Sequence, residues 1–298
     1  MKKSVLKFGS DPELFAQKIV NNKPYVVPPV VFRKELGQEI IRNEPRHPVF
    51  RELVINEKEN IKIHEDGCAF ELTIPPRNSM KEVFDLIQQG YNGVQEIVQK
   101  FGFDKAVIPT INFDTEEFRN KDGDFKECLI FGCDPDLDAF NYNRVQEMEN
   151  ALEHPYRYGG GHIHISGSDL LEKYPLIAVK LLAATIGNFV TANSLMKDLD
   201  HLRVHRYGRP GKYRIQKYPD NTIGIEYRTP SNAWTNSEEI SEGIQYWAEV
   251  AILKLLPHKL NTKEVLHNIE KNTIKAIIET NEDLALSNLK IVKSILNI

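Results

Sequence analysis

Three glycines run directly into an alternation of polar and apolar residues in the stretch Tyr158-Gly159-Gly160-Gly161-His162-Ile163-His164-Ile165-Ser166. Alternate side chains of a strand point to the same face, so His162 and His164 are predicted to project together. The glycines allow backbone or a ligand to approach closely. Paired imidazoles suit a metal ion, a proton relay or an anion, but a half-buried strand with hydrogen-bonded histidines fits this short pattern equally well. The stretch indicates a functional site only if acidic or basic residues from other segments accompany it.

Acidic residues supply such companions in three other strand-like segments. Asp11 and Glu13 stand two residues apart in segment 5–15, and Glu71 alternates with apolar neighbours. Glu226 precedes Arg228 by two residues, which predicts a shared face. The structural alternatives are a turn at Asp11 and an internal salt bridge between Glu226 and Arg228.

Glu13, Glu71 and Glu226, combined with His162 and His164, form a set of hard oxygen and nitrogen ligands. Buried carboxylates are costly unless they are paired or bind a metal. Such a set suits Mg²⁺ or Mn²⁺ better than a structural zinc ion.

Segment 201–214 is rich in cations and turn formers. Its arginines and lysine are Arg203, Arg206, Arg209, Lys212 and Arg214. A solvated basic loop is one interpretation, and a phosphate-binding loop is the other, because guanidinium groups match phosphate oxygens in pairs. Divalent cations together with arginines are what a nucleoside triphosphate needs. Neither a Walker motif nor a dinucleotide fingerprint offers another phosphate site.

Composition describes an ordinary globular protein of 298 residues, 41% hydrophobic and 27% charged. A net charge of -4 without a long basic run argues against nucleic acid as the main partner. Three cysteines, Cys68, Cys128 and Cys133, form neither a disulfide framework nor a zinc-finger spacing. No apolar run is judged long enough for a signal peptide or a membrane span, which predicts a cytoplasmic protein.

Periodicity predicts strands in the first half of the chain and helices at its end. Hairpins are expected over 5–27 and 61–74, and a loop over 33–60. Ser79 and Glu82 have the spacing of a capping box that begins a helix ending near Gly102. The other predicted elements are a strand over 106–111 and helices over 176–199, 240–256, 262–280 and 282–298.

Six ordered pieces resemble the phage-encoded carboxylate-amine ligases, which are amidoligases of the glutamine synthetase-like superfamily. They are Gly-Ser-Asp-Pro-Glu-Leu-Phe (9–15), Asp-Gly-x3-Glu (66–71), Phe-Gly-Cys-Asp-Pro-Asp (131–136), Gly-Gly-His-Ile-His-Ile (160–165), Tyr-Gly-x2-Gly-x-Tyr-Arg (207–214) and Glu-Tyr-Arg-Thr-x-Ser-Asn-x-Trp (226–234). Each piece alone is weak, but the set spans roughly 5–235.

The resemblance implies an α+β fold: a curved, mainly antiparallel sheet with helices on its outer face, a catalytic domain over 1–256 and a helical extension over 257–298. It implies ATP, with Mg²⁺ or Mn²⁺, joining a carboxylate to an amine through an acyl phosphate. The carried-over metal ligands are Glu13, Glu71, His162 and Glu226. The carried-over catalytic residues are Arg228, Arg206 and Arg214, with Arg203 and Lys212 added for nucleotide binding. Supporting or substrate roles fall to Asp11, His164 and Asn232.

Small-molecule or peptide carboxylates and amines are the expected partners, with no nucleic acid or membrane, and a homo-oligomer is left open. If the chain is phage-encoded, its expected compartment is the host cytoplasm. Two other functions remain open: a metal-dependent hydrolase that acts without ATP, and a protein of the same fold that binds nucleotide or another ligand without turnover.

Overall fold

The computed structural model describes residues 5–32, 52–119, 125, 129, 136–141, 154–218 and 221–298. These residues form an α+β structure with a large antiparallel sheet. In chain order its strands are β1 (Lys7–Ser10), β2 (Glu13–Val20), β3 (Lys23–Val27), β4 (Glu52–Asn56), β5 (Ile61–Asp66), β6 (Ala69–Arg77), β7 (Asp104–Ala106), β8 (Thr110–Asn112), β9 (Leu137–Asp138), β10 (Tyr156–Tyr158), β11 (Ile163–Ser166), β12 (Lys212–Lys217) and β13 (Ile223–Tyr227).

Helices fill most of the remaining described chain. They are α1 (Met80–Gln99), α2 (Thr115–Arg119), α3 (Asp169–Lys173), α4 (Pro175–Leu182), α5 (Asn188–Ala192), α6 (Lys197–Val204), α7 (Glu238–Glu249), α8 (Lys259–Ile278) and α9 (Glu282–Leu296). A π-helical turn at Ala183–Gly187 joins α4 to α5, and another at Val250–Leu255 extends α7.

Eleven of the described strands form one sheet, whose main order is β3-β2-β6-β1-β11-β13-β12-β9. The pairings of β4 with β5, β5 with β6 and β7 with β2 complete it, and β8 pairs with β10 separately. Each of these pairings is antiparallel. The expected mainly antiparallel α+β fold is therefore confirmed for this part of the chain, while the expected curvature stays a prediction.

The first predicted strand is interrupted at Asp11-Pro12. Proline has no N–H to give to a sheet, and β1 and β2 lie on either side of it. Both nevertheless pair with β6, through Ser10 with Ile74 and Glu13 with Glu71. The break leaves Asp11 between the two strands and outside either one.

Both predicted hairpins are present. Asn21 and Asn22 have φ angles of 51° and 61° in the turn between β2 and β3. Gly67, with φ of 54°, lies in the turn between β5 and β6. The predicted end of the second hairpin at Ile74 is too early, because β6 continues to Arg77.

Two other predictions about strands need correction. Residues 52–56, predicted as loop, form β4, because this short segment has an apolar Leu-Val-Ile run that favours a strand and pairs with β5. Residues 57–60 of that predicted loop form the turn between β4 and β5, and 33–51 lie outside the described residues. The single strand predicted over 106–111 is instead β7 and β8, which pair with different partners.

The capping box at Ser79 is confirmed. The Ser79 side chain accepts the Glu82 N–H, and the Glu82 carboxylate accepts the Ser79 N–H. Helix α1 then presents Val83, Ile87 and Val94 to the core, in contact with β6 and β1. It covers one face of the sheet, as its periodicity predicts.

The helix predicted over 176–199 ends earlier, at Ala192. Asn193 is its C-cap, and the Ser194 hydroxyl donates a hydrogen bond of 2.5 Å to Asp200 across the turn into α6. Local hydrogen bonds made by serine and aspartate side chains compete with the hydrogen bonds that would continue the helix. Arg203 is thereby placed in α6 rather than in the predicted basic loop.

Pro175–Ala192 is 18 residues long with a mean hydropathy of 1.6, so by length and composition it could cross a membrane. This corrects the expectation that no apolar run reaches that length. Within the fold 67% of it is buried, and a core helix of a soluble protein gives the same signal. Its apolar character is accounted for by packing against α8 and the sheet.

The chain's last two helices pack together and against α5. Val265, Ile269 and Val292 belong to the same hydrophobic core as the residues of the sheet. The boundary proposed between 256 and 257 stays a prediction.

Gly161 is the most restricted position beside the first histidine. A Cβ atom there would lie 2.3 Å from the carbonyl oxygen of Ser231 and 2.7 Å from Nε1 of Trp234. We expect Gly161→Ala to lower the free energy of unfolding by about 2–3 kcal/mol, because backbone must shift to admit the methyl group. Urea denaturation measures this.

Gly9→Ala is the matched control, because a Cβ there meets nothing closer than 3.4 Å. It should cost less than about 1 kcal/mol. Equal losses of unfolding free energy in the two variants would show that the close contacts of Gly161 do not determine the cost of adding a methyl group.

Candidate functional site

A row of polar side chains crosses three central strands on one face of the sheet. The register places His164 of β11 opposite Glu226 of β13, and Glu226 opposite Arg214 of β12. Gln216, on the same face of β12, donates a hydrogen bond to the second carboxylate oxygen of Glu226. Ile163 and Ile165 point to the opposite face and are fully buried, so helices and site lie on different sides.

Asp11 joins this row from the break between β1 and β2. Its Oδ1 lies 3.2 Å from Nδ1 of His162, and its Oδ2 lies 3.2 Å from Nε2 of His164. Tyr218 contacts the other nitrogen of His164 at 3.3 Å. Asp11 thus contacts both histidines of the opening motif.

Asp11, His164 and Glu226 each offer a ligand atom, and these atoms all lie within 4.8 Å of one another. Two carboxylate oxygens and one imidazole nitrogen are donors that Mg²⁺ or Mn²⁺ accepts. The residues therefore fit the metal that the sequence predicts. The geometry favours Asp11 and His164, which the sequence reading placed in supporting roles.

A second acidic group lies on the neighbouring strands. Glu13 of β2 is opposite Glu71 of β6, and Glu13 Oε2 accepts the Gly160 N–H at 2.7 Å. Burial, with the nearby charge of Asp66, raises the pKa of Glu13 to about 8. Burial and four neighbouring carboxylates, Asp11 first, raise the pKa of Glu71 well above its usual value. Both carboxyl groups therefore hold their protons more tightly than usual, and a bound cation would oppose this effect.

Arg228 connects the two groups. It is 2% exposed, and its guanidinium donates to Glu226 Oε1 and to the Tyr207 hydroxyl at 2.9 Å. Its Nε lies 2.7 Å from Asp136 Oδ1. Burial alone would raise the pKa of Glu226, but Arg228 and the histidines lower it. The predicted internal salt bridge between Glu226 and Arg228 is therefore present, within a larger network.

His162 is held on both of its nitrogens. Nδ1 lies 3.0 Å from the Arg228 guanidinium, and Nε2 lies 3.1 Å from the Tyr207 hydroxyl. Nδ1 also lies 3.2 Å from Asp11 Oδ1, so it faces one group that only donates and one that only accepts. Burial and Arg228 lower the pKa of His162, which favours its neutral form. His164 differs, because Asp11 outweighs burial and raises its pKa.

The predicted nucleotide-binding cations lie in different surroundings. Arg206 is exposed, whereas Lys212 is buried with Nζ 3.5 Å from Asp138. Arg214 Nε lies 3.5 Å from Asp136. Arg203 is buried, and its guanidinium donates to the carbonyl oxygens of Thr229 and Pro230. These contacts favour a structural role for Arg203 in holding segment 229–230 rather than a contact with a nucleotide. The nucleotide-binding roles of Arg206, Lys212 and Arg214 stay predictions.

Asn232 is fully buried, and its amide donates to the carbonyl oxygens of Glu13 and Ile108 at 2.7 and 3.0 Å. These contacts hold the backbone that carries Glu13, which agrees with the supporting role of the two roles predicted for Asn232.

Five residues of the site had no assigned role: Asp66, Asp136, Tyr207, Gln216 and Tyr218. Asp66, Asp136 and Tyr207 stand inside the quoted motif pieces, so their positions were visible but not their partners. Gln216 alternates with Arg214 along β12, a pattern that would have placed it on the same face.

Comparisons with known proteins add little. No protein-family model matches the chain, and no curated protein matches it. A solved structure described as apo GmaS without ligand is similar over 97% of this chain and 69% of its own, with 11% sequence identity and a TM-score of 0.36. That score is too low to support a functional conclusion.

A divalent cation should stabilise the folded chain. We expect Mn²⁺ or Mg²⁺ to raise the melting temperature by at least about 3 °C, because the cation binds only the assembled carboxylates. Asp11→Asn should abolish most of this shift in a thermal-denaturation assay. The exposed Asp85→Asn variant is the control and should keep it. A full shift in Asp11→Asn would exclude Asp11 as a ligand.

Glu226 and Arg228 should be energetically coupled. Glu226→Gln should lower the free energy of unfolding by about 3 kcal/mol, because Arg228 loses a buried partner. The double variant Glu226→Gln/Arg228→Met should cost at least about 1 kcal/mol less than the sum of the single variants.

The exposed pair Lys81 and Glu238, 2.8 Å apart, is the matched control and should show little coupling, since water screens it. Additive effects at Glu226 and Arg228 would contradict a dominant pair interaction.

Proposed function

We propose that this chain is an ATP-dependent carboxylate-amine ligase that uses Mg²⁺ or Mn²⁺ and forms an amide through an acyl phosphate. The observation that supports it most directly is the buried Arg228 guanidinium, which donates to Glu226 of the metal-type triad and to the Tyr207 hydroxyl, itself 3.4 Å from Glu13. Clustered carboxylates suit metal-bound triphosphate, and an adjacent arginine suits a phosphoryl group in transfer.

In the proposed reaction a substrate carboxylate oxygen attacks the γ-phosphorus of ATP, and the bond to ADP breaks. An amine nitrogen then attacks the acyl carbon, and phosphate leaves with one oxygen of the original carboxylate. Asp11, His164 and Glu226 are proposed to hold a divalent cation, with Glu13 and Glu71 as further ligands. That cation would neutralise phosphate charge when bound.

The chain's own groups do the positioning. Arg228 is held at four points, so its charge is oriented before any phosphoryl group arrives, and such preorganisation lowers the cost of stabilising a transition state. His162, neutral and bonded to Arg228 and Tyr207, fixes that orientation. Arg214 and Arg206 are proposed to contact the nucleotide. We place the reaction in the cytoplasm.

The test is phosphate release from ATP with Mg²⁺, panels of carboxylates and amines, and hydroxylamine as a general amine. Release should require both a carboxylate and an amine, and an ¹⁸O-labelled carboxylate should deliver one label to phosphate. Arg228→Lys should lower kcat at least about 100-fold, because a point charge cannot make the same oriented contacts. Asp85→Asn is the control.

The two alternative functions give different results in the same assay. Product formed from a substrate without nucleotide would indicate a metal-dependent hydrolase. Saturable ATP binding with no turnover over the whole panel would indicate a binding protein. Phosphate release without ¹⁸O transfer would contradict the acyl phosphate.

A further inference from the structure

A second recess lies beside the segment that follows Arg228. It spans about 530 Å³, including solvent at its mouth. Its walls come from α5, the turn before α6, α6 itself and segment 229–234. None of the proposed metal ligands lines it.

A buried positive charge stands in this recess. Arg203 is 2% exposed, and within the described chain no carboxylate lies within 4 Å of its guanidinium. Two of its nitrogens donate to the Thr229 and Pro230 carbonyl oxygens, but Nε has no hydrogen-bond partner among these residues. A buried donor without a partner is costly, so we infer that a ligand supplies the acceptor for this N–H.

A negative charge lines the same recess. Asp200, half-buried in α6, accepts the Ser194 hydroxyl at 2.5 Å. Apolar side chains complete the walls, namely Val190, Val204, Trp234, Ile240 and Ile277. One cation, one anion and an apolar surface complement a small molecule with a carboxylate, an ammonium group and an apolar body.

We propose that this recess binds a small apolar α-amino acid, whose carboxylate accepts from Arg203 Nε and whose ammonium group faces Asp200. The site is separate from the proposed reaction centre and does not depend on the proposed function. Arg203 connects it to the segment that follows Arg228 through the Thr229 carbonyl, at 2.8 Å.

The experiment uses the full chain and three matched probes in titration calorimetry. L-valine carries both charged groups, isovalerate lacks the ammonium group and isobutylamine lacks the carboxylate. L-valine should bind saturably and raise the melting temperature. Each of the other two should bind at least about tenfold more weakly, because one charged contact is lost.

Variants locate the binding. Arg203→Lys should weaken L-valine binding at least about tenfold, whereas Arg209→Lys, an exposed arginine on the following loop, should leave it unchanged. If Arg203→Lys does not fold, Leu195→Trp keeps the test valid. Leu195 lines the recess and is 58% exposed, so a larger side chain there should block entry without disturbing the core.

Asp11→Asn, in the other site, should bind L-valine normally. The proposal is overturned if no probe binds at 10 mM, roughly the weak limit of specific ligands. It is also overturned if isovalerate or isobutylamine binds as tightly as L-valine, or if Asp11→Asn loses binding while Leu195→Trp retains it.

Discussion

The buried ion pair of Arg228 with Glu226 is the interaction on which the rest of the site depends. An arginine that is 2% exposed is tolerated only if its donors find acceptors, and Glu226, His162, Tyr207 and Asp136 provide them. These partners come from distant parts of the chain. Arg228 therefore holds together the strands and loops that would otherwise meet through weaker contacts.

Charge is unevenly distributed around that pair. On the Arg228 side, opposite charges lower the pKa of Asp11 and Glu226 although burial opposes this. On the β2 and β6 side, burial and like charges raise the pKa of Glu13 and Glu71. A bound cation would favour the ionised form of the carboxyl groups on both sides.

Much of the site was predictable because the side-chain period of a strand is two. That rule placed His164 and Glu226 on faces that meet, and it placed Ile163 and Ile165 in the core. The rule did not anticipate that Pro12 interrupts the strand next to Asp11, whose carboxylate contacts His162 and His164. The rule also gave no reason to prefer His164 over His162 as a metal ligand. That difference arises because Arg228 and Tyr207 contact the two ring nitrogens of His162.

The sequence by itself determined the local elements: the capping box at Ser79, the hairpin turns, the amphipathic helices and the polar faces of the strands. These depend on residues within a few positions of one another, where propensity and periodicity act directly. Only the tertiary structure decided which polar groups became partners. Arg203 shows this best, because a cation assigned to a basic loop lies in a helix and donates to carbonyls 26 and 27 residues away. Burial creates the demand for such partners, and only the folded chain determines where they are found.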